Sequence, residues 1–361
     1  MIREILGREL TCEEKTLICL TSPMGAGDSG EIACLQQIDP RLFRSLVMRH
    51  KLSPFLFFMK HPLFQNLPEQ VRNHLKQQAE SISRRMLLFA REMVEMERKF
   101  RDKGIQVIFL KGPALSMQLF GDVGRRSSID IDMLVRKNDL NRVGQRLENL
   151  NYSAIKSEEG KNSLVRQLFR YAKKDRTYRK DKPAIPVEIH YRLFPNNTYE
   201  QQERQFIDNN IGQVLLAGEK ISVLNMPLHF LFLAAHGSVH QWYQLFWLRD
   251  IAEMVSKEKI FDWKALMAMA DAMGLKRSVI LAVHLSHLIY HTDIPVVVAK
   301  DLKTHPQPYL LKTCLRAIFN PQDEDMQRRI ERMWYLSMLD GSIKYKWNTF
   351  FGAVGRFLLE G

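Results

Sequence analysis

A chain of 361 residues, 45% apolar and 26% charged, has enough apolar surface for a sizeable core and length for two or three domains. With no repeat period or low-complexity tract, that composition excludes a disordered or fibrous protein. The net charge of +13 favours polyanionic partners such as nucleotides or nucleic acid, but a positive balance reports attraction and not function.

The start, MIREILGREL, lacks an apolar core of signal-peptide length, and the most apolar later stretch, Pro227 to Ala235, is too short to cross a bilayer; no membrane span is expected. The four cysteines, Cys12, Cys19, Cys34 and Cys314, have no C-x-x-C spacing and read as reduced thiols of a cytoplasmic protein. Met24 to Gly30 reads as a loop. Helices are expected to begin at Pro40, in PRLFRSLVMRH, and near Pro68, in LPEQVRNHLKQQ. From Ser83 to Phe100, the residues Met86, Phe89, Ala90, Met93, Met96 and Phe100 fall at spacings of three and four, one apolar stripe of an amphipathic helix. Gly104 offers its C-terminal cap, and Ile105 to Leu110 follows as a strand.

Lys111-Gly112-Pro113 breaks that strand, and Ala114 to Phe120 has the apolar spacing of a short helix. At a strand–glycine–helix junction the first helical amides face outward and glycine permits close approach, so phosphate oxygens can be held there. A loop from Gly121 to Ser128 carries Arg125 and Arg126, and Ile129 to Val135 is expected as a second strand. Alternation places Asp130 and Asp132 on one face, with Ile129, Ile131 and Met133 on the other. Two neighbouring carboxylates repel unless a divalent cation or a shared proton relieves them, and that pair points to metal-assisted phosphoryl chemistry.

A helix is expected from Asn138 to Leu150. The segment from Lys161 to Lys182 then holds nine basic and two acidic residues, a net of +7, with Leu168, Tyr171 and Tyr178 interleaved among the charges. It reads equally as a solvated face or as a contact surface for nucleotide or nucleic acid. After a turn at Asp181-Lys182-Pro183, Val187 to Leu193 alternates as a strand, which puts Glu188 and His190 on one face; His190 there reads as an ordinary strand histidine, ahead of a hydrogen-bonding role near Glu188 or toward the substrate. From about Asn196 the pattern is helical, without clear strand signals. Asn225 and Pro227 open an apolar helix. His236 and His240 have metal-like spacing, but HGSVH lacks the glutamate of a zinc-protease helix and a third ligand, so packed histidines are expected.

These residues resemble a known group. FLKGPAL, RRSSIDIDMLV, the helix after it, NYS, PVEIHYRLF and LFLAAHGSVHQWYQLFWLRDIAEM, over about residues 85 to 260, are similar to the bacterial nucleotidyltransferase-like family of the polymerase-beta superfamily. The resemblance implies an α+β fold: N-terminal helices over 1–82, a nucleotidyltransferase-like core of a small mixed sheet flanked by helices over 83–198, and a helical C-terminal domain over 199–361. It implies Asp130, Asp132 and Glu188 as an acidic triad that binds Mg²⁺ or Mn²⁺ and serves catalysis, Glu188 completing a second metal site or accepting the nucleophile's proton. Lys111, Gly112, Arg125 and Arg126 are the implied nucleotide-binding residues. The expected reaction transfers a nucleoside monophosphate from an NTP, with pyrophosphate leaving, to an acceptor of unspecified kind: a sugar, an antibiotic, a protein side chain or RNA. The chain departs from the superfamily in one place: Lys111-Gly112-Pro113 stands where Gly-Ser is common, with 17 residues between Gly112 and Asp130. Lys111 then supplies charge in place of the serine. Two other readings stay open: a nucleotide- or partner-binding protein that keeps the fold without turnover, and an RNA-directed transferase.

Overall fold

The computed structural model describes residues 1–23, 35, 37–155, 175–194, 197–257, 261–320 and 326–349. In chain order the principal helices are α1 Cys12–Thr21, α2 Pro40–Arg49, α3 Glu69–Arg101, α4 Gly112–Phe120, α5 Leu140–Asn149, α6 Met226–Val239, α7 Leu245–Ser256 and α8 Lys276–Tyr290. The strands are β1 Val107–Phe109, β2 Ile131–Val135, β3 Ser153–Ala154, β4 Asp175–Lys180, β5 Ile185–His190, β6 Ile211–Leu216 and β7 Glu219–Leu224. The chain divides into two compact units, a sheet unit of Met86–Val123, Ser128–His229 and Ile330 onward, and a helical unit of Met1–Arg85, Gly124–Ser127 and Phe230–Arg329.

Among the described residues, one seven-stranded mixed sheet forms the sheet unit, in the order β3-β4-β5-β2-β1-β7-β6. The expected α+β core, a mixed sheet flanked by helices, is what the chain forms. β2 lies at its centre, antiparallel to β1 and parallel to β5. Every residue of β2 is buried, as a strand covered on both faces requires. The predicted stripe holds: Met86, Phe89, Ala90, Met93, Met96 and Phe100 are all buried. Each buried methionine or phenylalanine of the stripe contributes about 1.5–3 kcal/mol. Two polar ties fix α3 to the sheet. Glu92 accepts from Tyr152 Oη at 2.9 Å and from Lys180 Nζ at 3.1 Å, and Arg98 donates to Glu219 at 2.6 Å. Gly104, with φ of 64°, ends the helix as expected.

Several boundaries differ from the sequence reading. The helices expected near Pro68 and from Ser83 are one helix, α3, of 33 residues, since nothing between them breaks the backbone ladder. β2 begins at Ile131, so Ile129 does not share the buried face of Ile131 and Met133 but is 58% exposed in the turn before the strand. β5 runs from Ile185 to His190 instead of Val187 to Leu193. Asn138 lies in a short 3-10 turn, Lys137–Asp139, ahead of α5. The largest difference is residues 211–224, read as part of a helical region: they form the hairpin β6–β7, turning at Ala217 and Gly218, and β7 pairs in parallel with β1. IGQVLL and EKISVL are half-buried edge and neighbour strands whose weak alternation resembles a helix face, and the tight turn is what decides them.

In the helical unit, Thr11 and Glu14 form a reciprocal cap on α1, and Asp39 caps α2 with Pro40 in its first turn. α7 packs on α8, which is buried along most of its length. His236 and His240 are packed as expected: their rings are 4.7 Å apart, and both lie against Trp247, at 5.1 and 5.4 Å. Among the described residues no helix is long and apolar enough to cross a membrane.

Candidate metal centre

The site starts from the backbone of β1 and β2. The Leu110 amide donates to the Asp132 carbonyl at 3.0 Å, one step beyond β1, and the Leu110 carbonyl accepts from His229 Nε2 at 2.7 Å. The chain therefore leaves the sheet beside Asp132. Lys111 stands at the N-cap of α4 and Gly112 follows with φ of 61°, a left-handed conformation that favours glycine. A Cβ at Gly112 would meet Ser128 only at ordinary contact distance, 3.5 Å, so the dihedral and not space selects the residue. The strand–glycine–helix junction expected from FLKGPAL is present.

Asp132 is 1% exposed. Its Oδ1 accepts from Lys111 Nζ at 3.2 Å and lies 2.9 Å from His190 Nε2. Oδ2 is buried and has no hydrogen-bond partner among the described residues. Parallel pairing sets Glu188 beside Asp132 across β2 and β5, and Glu188 Oε2 is 3.6 Å from His190 Nε2. Burial by itself would raise the Asp132 carboxyl, but Lys111 and His190 outweigh it and hold the group well below the usual carboxylate range. Asp130 sits in the turn before β2, half-buried, with Ser128 Oγ 2.9 Å from its carbonyl and 3.3 Å from Oδ1. Its carboxyl is pushed up, first by burial and then by Asp132, against the opposing influence of Lys111, Ser128 and His190.

The structure thus brings together Lys111, Asp132, Glu188 and His190, with Asp130 at their edge. Among the described residues the group able to hold a metal is Asp132, Glu188 and His190, whose donor atoms lie within 4.8 Å of one another. Two carboxylates, an imidazole and a buried, unpartnered carboxylate oxygen fit a divalent ion. The sequence pattern alone reads His190 as a strand histidine and not as a ligand. The alternation that paired it with Glu188 was the available signal, but its closeness to Asp132 depends on which strands neighbour each other.

Arg125 and Arg126 belong to the helical unit. Arg126 Nε donates to Asp250 at 2.8 Å with both side chains 3% exposed, and its guanidinium lies over the Phe246 ring at 5.0 Å. Arg125 Nη1 lies 3.7 Å from Met59 Sδ. Of the basic segment, residues 161–174 lie outside the described residues. In the remainder, Lys180 is paired with Glu92, and Arg176 donates to Asn141 at 3.1 Å.

A mixed sheet here carries two carboxylates and an imidazole beside a glycine turn, a group that could hold a metal on an α/β core. The chain belongs to the family of uncharacterised nucleotidyltransferases, which matches residues 36–291. Among solved structures it is similar to an antigenic nucleotidyltransferase-like protein from Paracoccidioides brasiliensis, at 12% identity over 66% of this chain and 95% of that one, with a TM-score of 0.38. No curated protein matches the sequence.

Proposed function

We propose that the protein transfers a nucleoside monophosphate from an NTP to an acceptor hydroxyl, with pyrophosphate as the other product. The observation that carries this reading is the buried, unpartnered Oδ2 of Asp132 beside Glu188 in a chain of a nucleotidyltransferase family. Asp132 and Glu188 would hold a divalent ion, Mg²⁺ or Mn²⁺, with Asp130 adding negative charge from the turn side. When bound, such an ion neutralises phosphate charge and polarises the α-phosphoryl group. The rest of the work falls to the chain. Gly112 opens the start of α4 so that backbone amides can reach phosphate oxygens. Lys111, 15% exposed and held at Asp132, swings its ammonium to the triphosphate as the nucleotide arrives. The acceptor oxygen bonds to the α-phosphorus, the bond between that phosphorus and the bridging oxygen to the β-phosphate breaks, and the hydroxyl proton passes to Glu188, which keeps 37% of its side chain exposed.

One observation favours a second reading. The Lys111 ammonium 3.2 Å from Asp132 is an internal counter-ion to the carboxylate that an ion needs, and a protein that binds nucleotide without turnover can keep it there permanently.

The test incubates purified protein with each labelled NTP, Mg²⁺ or Mn²⁺, and pools of sugar, antibiotic, protein and RNA acceptors, following pyrophosphate and labelled adducts. Asp132→Asn is expected to abolish transfer, and transfer that survives it would overturn the mechanism. NTP binding with no product from any pool would select the second reading.

A further inference from the structure

The transfer mechanism needs only oxygen ligands, and His190 is the residue it leaves unused. An Mg²⁺ site is built from oxygens in a near-ideal octahedron that keeps several waters, so a buried imidazole among the donors is unexpected there. The His190 side chain is 7% exposed and that of Asp132 is 1% exposed. Nε2 is 2.9 Å from Asp132 Oδ1 and 3.6 Å from Glu188 Oε2. Two donors bonded to one ion at about 2.1 Å and at right angles stand about 3 Å apart, so these are the separations of adjacent ligands. The strand pairing preorganises them: Asp132 is matched to Glu188, and His190 follows two residues on, on the same face of β5. The other Asp132 oxygen, Oδ2, is buried without a hydrogen-bond partner among the described residues, so the carboxylate still has an oxygen to offer. A hydrogen bond that merely orients Asp132 would need His190 but neither the approach of Glu188 nor the open Oδ2.

Resting on the reading of this centre as a metal site, we infer that His190 is itself a ligand, and that the centre is a two-carboxylate, one-histidine site selecting Mn²⁺ over Mg²⁺. Imidazole raises affinity for transition ions, while the two carboxylates keep the set hard enough for an ion that also accepts triphosphate oxygens. A neutral His190 coordinates through Nε2 by moving its proton to Nδ1, and nothing is oxidised or reduced.

The experiment titrates the full chain with Mn²⁺ alone, without nucleotide, reads binding by electron paramagnetic resonance, and repeats it against competing Mg²⁺. Pulsed measurements on the bound ion then look for ¹⁴N coupling. The expected result is Mn²⁺ bound at least about tenfold more tightly than Mg²⁺, with coupling from one imidazole nitrogen. His190→Ala should lose the coupling and weaken Mn²⁺ at least about tenfold, while Mg²⁺ changes far less. Bound Mn²⁺ with no nitrogen coupling in the native protein would overturn the inference whatever the variant does, as would no Mn²⁺ binding at millimolar concentration or an equal loss of both ions in a folded His190→Ala. Nitrogen-coupled Mn²⁺ without turnover of any NTP would leave this inference standing and remove the transfer reaction. Transfer supported equally by Mg²⁺ with no coupling would do the reverse.

Discussion

Breaking the Arg126–Asp250 pair tests what the loop at Gly124–Ser127 is for. The two side chains meet at 2.8 Å with 3% exposure each, and Asp250 also neighbours Arg249, whose guanidinium is 4.3 Å from the centre of the Phe55 ring. Asp250→Leu strands a guanidinium that cannot lose its proton, and removing one partner of a buried pair costs about 3–5 kcal/mol. Arg126→Met leaves a carboxyl that burial already pushes up, with the two arginines opposing, so Asp250 can relieve itself by taking a proton. The arginine variant should therefore cost less, about 1–3 kcal/mol. The double variant, apolar at both positions, should recover at least about 1 kcal/mol of the summed loss. Urea denaturation at pH 7 measures all four stabilities. Additive losses, or Asp250→Leu within about 1 kcal/mol of the native protein, would refute the reasoning. NTP affinity of the folded double variant tests the expectation that Arg126 binds nucleotide: unchanged affinity assigns the residue to the pair alone.

Three further outcomes follow from the geometry. Burial, helped by Arg49, lowers the His50 imidazole to about 3, and its Nδ1 accepts from the Leu245 amide at 3.1 Å. The unfolded chain, with a histidine near its ordinary value of about 6.5, binds a proton that the folded state refuses, so this contribution is full above that value and is lost as pH falls toward about 3, at up to about 1.4 kcal/mol per pH unit. Stabilities of the native protein and His50→Gln measured at pH 7, 6 and 5 should converge as the pH falls; parallel lines would contradict this. Gly237→Ala places a Cβ 2.4 Å from the Trp242 ring and should cost about 1–3 kcal/mol, read as a lowered melting temperature; an unchanged one would show that the ring is free to move. Lys111→Met should weaken NTP binding by about tenfold through the lost phosphate contact while leaving metal binding at least as tight, since the ammonium competes for Asp132; calorimetry with each ligand separates the two, and weaker metal binding would contradict the competition.

The sequence by itself determined the local pieces. Its stripe of methionines and phenylalanines defined α3's buried face, KGP defined the junction after β1, and alternation identified Asp132 and Glu188 as residues on strands. These are short-range signals, carried by side-chain period and by residues that restrict the backbone. Only tertiary structure decided the rest. Which strands lie side by side is a long-range choice, and it brings His190 to Asp132 across 58 residues of chain. It also gives the half-buried hairpin 211–224 to the sheet, where neighbouring strands supply the partners that its own pattern does not announce. Arg126 makes the same point from the helical unit: a loop arginine in sequence becomes a buried one because Asp250, 124 residues away, neutralises it there.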